Sequence, residues 1–176
     1  MTEPAAGPTG SPYDQAISAL TEPRDAAPAV LLLPTPAADL ETHAGAPCEE
    51  ARAVAAAAHA RGVLVVGLAR DDAQRSRAEA LLIGCEARVL LSPPASDGGG
   101  GGAGAAALAR LVKSATGAAC EQVLALSSDA AALRDAARAG MTTVRLAAGP
   151  GRGLGPATLR RGLEAHAAKL QDSRGY

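Results

Sequence analysis

The sequence predicts an α/β domain, a Rossmann-like three-layer sandwich in which a five-stranded parallel sheet carries helices on both faces. Three observations point there. Short unbroken apolar runs recur along the chain, as strands buried on both faces require. Ala-rich amphipathic stretches separate those runs, giving the alternation of strand and helix that builds parallel sheets. Glycines fall where each helical pattern stops, at Gly62, Gly84 and Gly140. Each crossover between neighbouring strands is expected to be right-handed.

Taken in order, residues 1–28 hold five of the twelve prolines together with Gly, Ser and Thr, and read as a loose leader with a short helical stretch at Tyr13–Leu20. The α/β domain spans 29–170 and a tail covers 171–176. Ala29–Leu33 is the first buried strand, stopped by Pro34-Thr35-Pro36. Cys48–Arg61 is an Ala-rich helix, Val63–Val66 the second strand, and Asp71–Ile83 a helix with Ala78, Leu81 and Leu82 facing inward. Ala87–Leu91 is the third strand. Ser92-Pro93-Pro94 and the glycine tract Gly98–Gly102 follow as flexible tether. Ala105–Ala115 is the next helix.

The stretch Glu121–Leu146 organises the rest. Val123–Leu126 is an apolar strand running into Ser127-Ser128-Asp129, small polar residues suited to cap a helix N-terminus. The following helix presents Leu133, Ala136, Ala137 and Gly140 on one face, and Met141–Leu146 resumes as a β-branched strand. After the loop Ala147–Gly155, Pro156–Leu170 is a helix with proline in its first turn and Leu159, Leu163, His166 and Leu170 on one face.

A chain of 176 residues can bury a sizeable core, yet it has no Phe, no Trp and two Tyr, so packing rests on Leu, Val and Ala. Net charge is −1 with both signs interspersed, which leaves no electrostatic footprint for nucleic acid or an anionic membrane. No apolar run approaches the roughly 20 residues of a membrane span. The three cysteines, Cys48, Cys85 and Cys120, follow neither metal nor disulfide spacing, which suits a reducing interior. The leader lacks the signature of a signal peptide, and its acids Glu3, Asp14 and Glu22 argue against a presequence; the expected location is cytoplasmic.

In such sheets the chemistry sits on loops at the strands' carboxyl ends. Those loops carry Pro34, Thr35 and Pro36, then Arg70, then Ser127-Ser128-Asp129. Ser127–Asp129 reads as a helix cap or as a relic site, and both can hold because a capped N-terminus still attracts an anion weakly; Arg70 reads either as a solvated or loop-bonding side chain or as a phosphate contact. His43, His59 and His166 share no metal spacing. Glu49-Glu50 and Asp71-Asp72 fall in first helical turns, where the helix dipole favours acids. Gly149–Gly155 fails the dinucleotide spacing, because Leu154 stands where the third glycine belongs, and no Gly-Lys-Ser/Thr occurs. A nucleotide-binding module is therefore disfavoured.

Strand–Ser127-Ser128-Asp129–helix–Ala139-Gly140-Met141-Thr142-Thr143-Val144 resembles the fourth motif of the haloacid dehalogenase superfamily, and specifically its capless magnesium-dependent phosphatase branch of acid phosphatase type. Arg61-Gly62-Val63 through Ala69-Arg70 is similar to that branch's second motif. Thr116-Gly117 precedes strand four at the family's spacing, Gly162-Leu163-Glu164-Ala165 lies in its closing helix, and Thr42-His43 has a counterpart after the first motif. The likeness covers roughly 29–170 and implies no cap domain.

The resemblance also implies catalytic positions, and this chain departs from the family at each. The nucleophile and acid/base aspartates fall on Pro34 and Pro36, the second motif's hydroxyl on Ala69, the lysine near Ala105 and the magnesium-binding acids on Ser127 and Ser128. The nearest lysine, Lys113, is about two helical turns further on. Proline offers no nucleophile, and magnesium prefers charged oxygens in octahedral array. No cofactor is expected. The resemblance thus implies a pseudophosphatase acting by binding or interaction, with weak anion or phosphate contact at Arg70, Ser127, Ser128 and Asp129. The alternative is an active magnesium-dependent phosphomonoesterase, of protein tyrosine or sugar phosphate type, with a relocated nucleophile such as Asp39 or Asp129.

Overall fold

A computed structural model describes residues 28–34, 56–60, 62–81, 87–91, 103–146 and 156–175. The predicted leader up to residue 27, Pro36, Asp39, His43, Cys48, Glu49-Glu50, Leu82, Gly84, Cys85, Gly98–Gly102 and the loop Ala147–Gly155 lie outside the described residues.

The strands are β1 (Val30–Leu33), β2 (Leu64–Ala69), β3 (Ala87–Leu91), β4 (Val123–Ser127) and β5 (Thr142–Arg145). Among the described residues the helices are α1 (Asp72–Leu81), α2 (Ala103–Thr116), α3 (Ala130–Arg138) and α4 (Pro156–Arg174), and residues 56–60 are helical as well. All strand pairings are parallel, and the sheet order is β3-β2-β1-β4-β5. The expected Rossmann-like sandwich is what forms. The central strand β1 is the most apolar, Val-Leu-Leu-Leu, and each of its residues is buried because it has neighbours on both edges and both faces.

Strand alternation splits the core into two layers. Leu31, Leu33, Val65, Leu124 and Leu126 point to one side, where Ala57, Ala58 and Ala78 meet Leu159 and Leu163 of α4. Val30, Leu32, Val66, Leu68, Val123 and Ala125 point to the other, against Leu108 and Val112 of α2 and Leu133 and Ala136 of α3. With no Phe or Trp to fill space, helices sit close to the sheet. Gly162 shows how close: a Cβ there would lie 3.3 Å from Leu124 Cδ2 and 3.4 Å from Val144 Cγ2.

Two glycines end helices as the sequence predicted, and each does so through a left-handed residue. Gly140 has φ 95°, with its N–H on Ala137 O at 3.0 Å and that of Met141 on Ala136 O at 3.0 Å. Gly62 has φ 78°, with the same pair of bonds, from its own N–H to His59 O and from Val63 to Ala58 O. Both are Schellman closures, which need a residue that tolerates positive φ.

Three expectations are corrected. Ala137 is exposed; the buried stripe of α3 runs through Leu133 and Ala136 to Ala139, because the closing turn carries Met141 inward to 2% exposure. The helix predicted to stop at Leu170 continues to Arg174, so most of the predicted tail belongs to α4. Strand β5 is four residues, shorter than Met141–Leu146, although Leu146 N–H still reaches Ser127 O at 2.9 Å.

Candidate functional site

In the order β3-β2-β1-β4-β5, the chain leaves β1 in one direction to make β2 and β3, and in the other to make β4 and β5. The crevice at the carboxyl ends of β1 and β4 is therefore the topological switch point, where open α/β sheets place ligands. Pro34 follows β1 directly and is half-buried, Ala69 ends β2 at 2% exposure, and Ser127 ends β4 fully buried.

The turn after β4 is built by its own side chains. Ser127 Oγ accepts from the Asp129 N–H at 3.0 Å, which folds the chain back toward the strand. Asp129, in extended conformation, then caps α3: its Oδ1 accepts from the Ala131 N–H at 2.9 Å. The cap expected from the sequence forms, with Asp129 as the capping residue. Ser128 is half-buried and engaged in a polar interaction of its own.

Arg70, just past β2, completes the rim. Its backbone N–H donates to Gln74 Oε1 at 3.0 Å, while the Asp71 carboxylate takes the Gln74 N–H at 2.8 Å, so this loop is also held by a helix-start exchange. The Arg70 side chain is 76% exposed, and its Nη2 lies 3.7 Å from Asp129 Oδ2. Strands β2 and β4 are not neighbours, because β1 runs between them. Adjacent strands stand about 4.8 Å apart, so Arg70 reaches across roughly 10 Å of sheet to meet Asp129. The side chain thus straps the carboxyl end of β1. At this exposure and distance the pair contributes about 0–1 kcal/mol.

Because the sheet is parallel, Pro34, Ala69, Arg70, Ser127, Ser128 and Asp129 all stand at its carboxyl rim. Ala105 is buried in the first turn of α2. Lys113 lies toward the opposite rim, where its charge acts on Cys120 at the amino-terminal entry to β4. Burial pushes the Cys120 thiol up and Glu121 adds to the rise, with Lys113 and Lys169 opposing it, so this thiol is not activated. Among the described residues no three His, Cys, Asp or Glu gather as a metal site, and no helix is long and apolar enough to cross a membrane.

Sequence reasoning missed one buried polar pair. His166 of α4 is 0% exposed and its Nδ1 lies 2.9 Å from Thr142 Oγ1 at the start of β5. The only signal was a histidine at a core-facing position of a helical stripe. Compared with known proteins, the chain matches no family model, no curated protein and no solved structure.

Proposed function

We propose that the chain is a phosphatase-like α/β domain without phosphoryl-transfer chemistry, a pseudophosphatase that acts through binding at the carboxyl rim of its sheet. The observation that carries this is the state of Asp129. Its Oδ1 caps α3 and its Oδ2 faces Arg70, so both oxygens are engaged in holding the turn. A carboxylate nucleophile needs a free oxygen aimed at phosphorus and a cation to neutralise the transferring group. Pro34 and Ala69 supply neither, and Ser127 directs its hydroxyl oxygen into the turn. What the rim offers a ligand is the exposed Arg70 guanidinium beside a capped helix start, an arrangement suited to weak phosphate or carboxylate contact.

The test is turnover of a generic aryl phosphate by the full chain, with and without magnesium, for the wild type, Asp129→Asn and Asp39→Asn. The expected rate is that of the buffer in every case. Magnesium-dependent turnover abolished in either variant would establish the active phosphomonoesterase instead. Inorganic phosphate, titrated with a thermal shift readout, is expected to raise the wild-type Tm slightly and Arg70→Ala not at all.

A further inference from the structure

We propose that the carboxyl half of α4 is a latch on the β5 side of the sheet, held closed by neutral His166 and released when that imidazole is protonated. The latch lies on the amino-terminal rim, opposite the Arg70–Asp129 strap, and does not depend on the function proposed for that strap.

Helix α4 descends over β4 and β5 in register: Gly162 presses on Leu124 and Val144, His166 meets Thr142, and Lys169 donates to Gly140 O at 2.6 Å. Each step is three or four residues, so one helical stripe makes all three contacts. Among the described residues the imidazole has a single hydrogen-bond partner. Its Nδ1 shares one hydrogen with Thr142 Oγ1, and Nε2 is buried with no hydrogen-bond partner among the described residues. Either neutral tautomer leaves Nε2 unserved. Protonation forces an N–H and a delocalised positive charge onto that same atom, where no acceptor waits, and burial of an unpaired charge is far costlier than burial of a neutral ring.

The surroundings offer no relief. Burial depresses the His166 pKa below its ordinary value, and the like-signed charge of Lys169 on the same helix adds to the fall. Strand β4 (Val-Leu-Ala-Leu-Ser) holds no acid or base. Strand β5 has one charge, the exposed Arg145, which alternates to the face opposite Thr142. Cys120, next to β4, feels the field of Lys169 too but stays a neutral thiol. The cation is therefore stable only where water reaches it, and α4 must lift from Thr142 to let that happen.

The sign follows from linkage. A histidine whose folded pKa is depressed binds fewer protons closed than open, so closure is fully favoured above the ordinary value of 6.5 and weakens as pH falls below it. The opening constant then rises at most about tenfold per pH unit until the folded pKa is passed.

Hydrogen exchange of the full chain between pH 7.5 and 5, expressed as protection factors, tests this. Protection over residues 163–174 and β5 is expected to fall up to tenfold per pH unit below about 6.5, while β1, β2 and α2 keep theirs. In His166→Gln, which hydrogen-bonds without titrating, the same segment is expected to show flat protection. Unchanged protection in the wild type, or an equal fall in His166→Gln, overturns the latch. Should that variant not fold, the wild-type imidazole decides by NMR: its titration must coincide with the loss of protection, and titration with α4 still protected refutes the proposal.

Discussion

Gly162 is where a core without aromatic rings is most exposed to test. The residue is helical and buried, and a Cβ there would stand 3.3 Å from Leu124 Cδ2, 3.4 Å from Val144 Cγ2 and 3.5 Å from Leu124 Cδ1. Carbon atoms prefer about 3.5–4.0 Å, so one methyl group already presses on its neighbours. Gly162→Ala sets that strain against the better helix propensity of alanine, about 0.8–1.0 kcal/mol. The two terms are similar, and the net change is expected within about 1 kcal/mol. Gly162→Leu keeps most of the propensity gain but drives three more carbons toward Leu124, itself 0% exposed. A net loss of about 2 kcal/mol follows from overpacking, lowering Tm by about 4–8 °C at this chain length. With no Trp in the chain, unfolding is followed by far-ultraviolet circular dichroism. A cycle sharpens the reasoning: a Leu124→Ala background removes both Leu124 methyl contacts and leaves Val144 Cγ2 at 3.4 Å, so Gly162→Ala should be more favourable there than in the wild type by about 0.5 kcal/mol. Gly162→Leu melting at the wild-type temperature, or Gly162→Ala uncoupled from Leu124→Ala, would refute the close approach of α4.

Asp129→Ala should cost about 1 kcal/mol of unfolding free energy through loss of the α3 cap, whereas Asp129→Asn, which keeps the cap and loses only the 3.7 Å exposed pair, should stay within about 0.5 kcal/mol. Gly140→Ala places a Cβ no closer than 3.8 Å to Cys120 Cβ, so its cost is conformational: about 1–2 kcal/mol for the left-handed backbone, partly offset by lost unfolded-state freedom. Gly62→Ala, with nothing within 4 Å of the new Cβ, should cost the same in urea denaturation. Thr142→Val strips His166 of its one partner and should lose about 1–3 kcal/mol at pH 7.5, measured the same way.

The strands were legible because a sheet buried on both faces leaves a signal that needs no context: Val30–Leu33 and Val123–Leu126 are apolar without interruption, and both form. Helix ends at Gly62 and Gly140 were legible for a similar reason, since a left-handed closure selects its residue locally. The inward face of α3 was misread by one position. Over nine residues the helical period leaves two stripes nearly equivalent, and tertiary packing, through Met141 and Ala139, chose between them. At the rim, the sequence named Arg70 and Asp129 separately, 59 positions apart, but their pairing needs the strand order that puts β1 between them.

The two rims of the sheet differ in a way that bears on function. At the carboxyl rim the polar groups answer one another: Ser127 holds Asp129, Asp129 holds α3 and Arg70, and Gln74 holds the Arg70 backbone. A turn satisfied internally keeps its shape without a ligand, and the most it yields is the exposed guanidinium, released from a pair worth about 0–1 kcal/mol. At the amino rim one buried ring has half its hydrogen-bonding capacity unmet, next to a lysine already committed to Gly140 O. A buried group left without a partner favours whatever state brings it water, so this rim opens first when protons are added. The two rims lie at opposite ends of the strands, so acid below about pH 6.5 should free α4 without phosphate binding at Arg70 falling in step with it. Loss of phosphate binding in step with α4 protection would join the two rims into one coupled system and remove the independence argued for them.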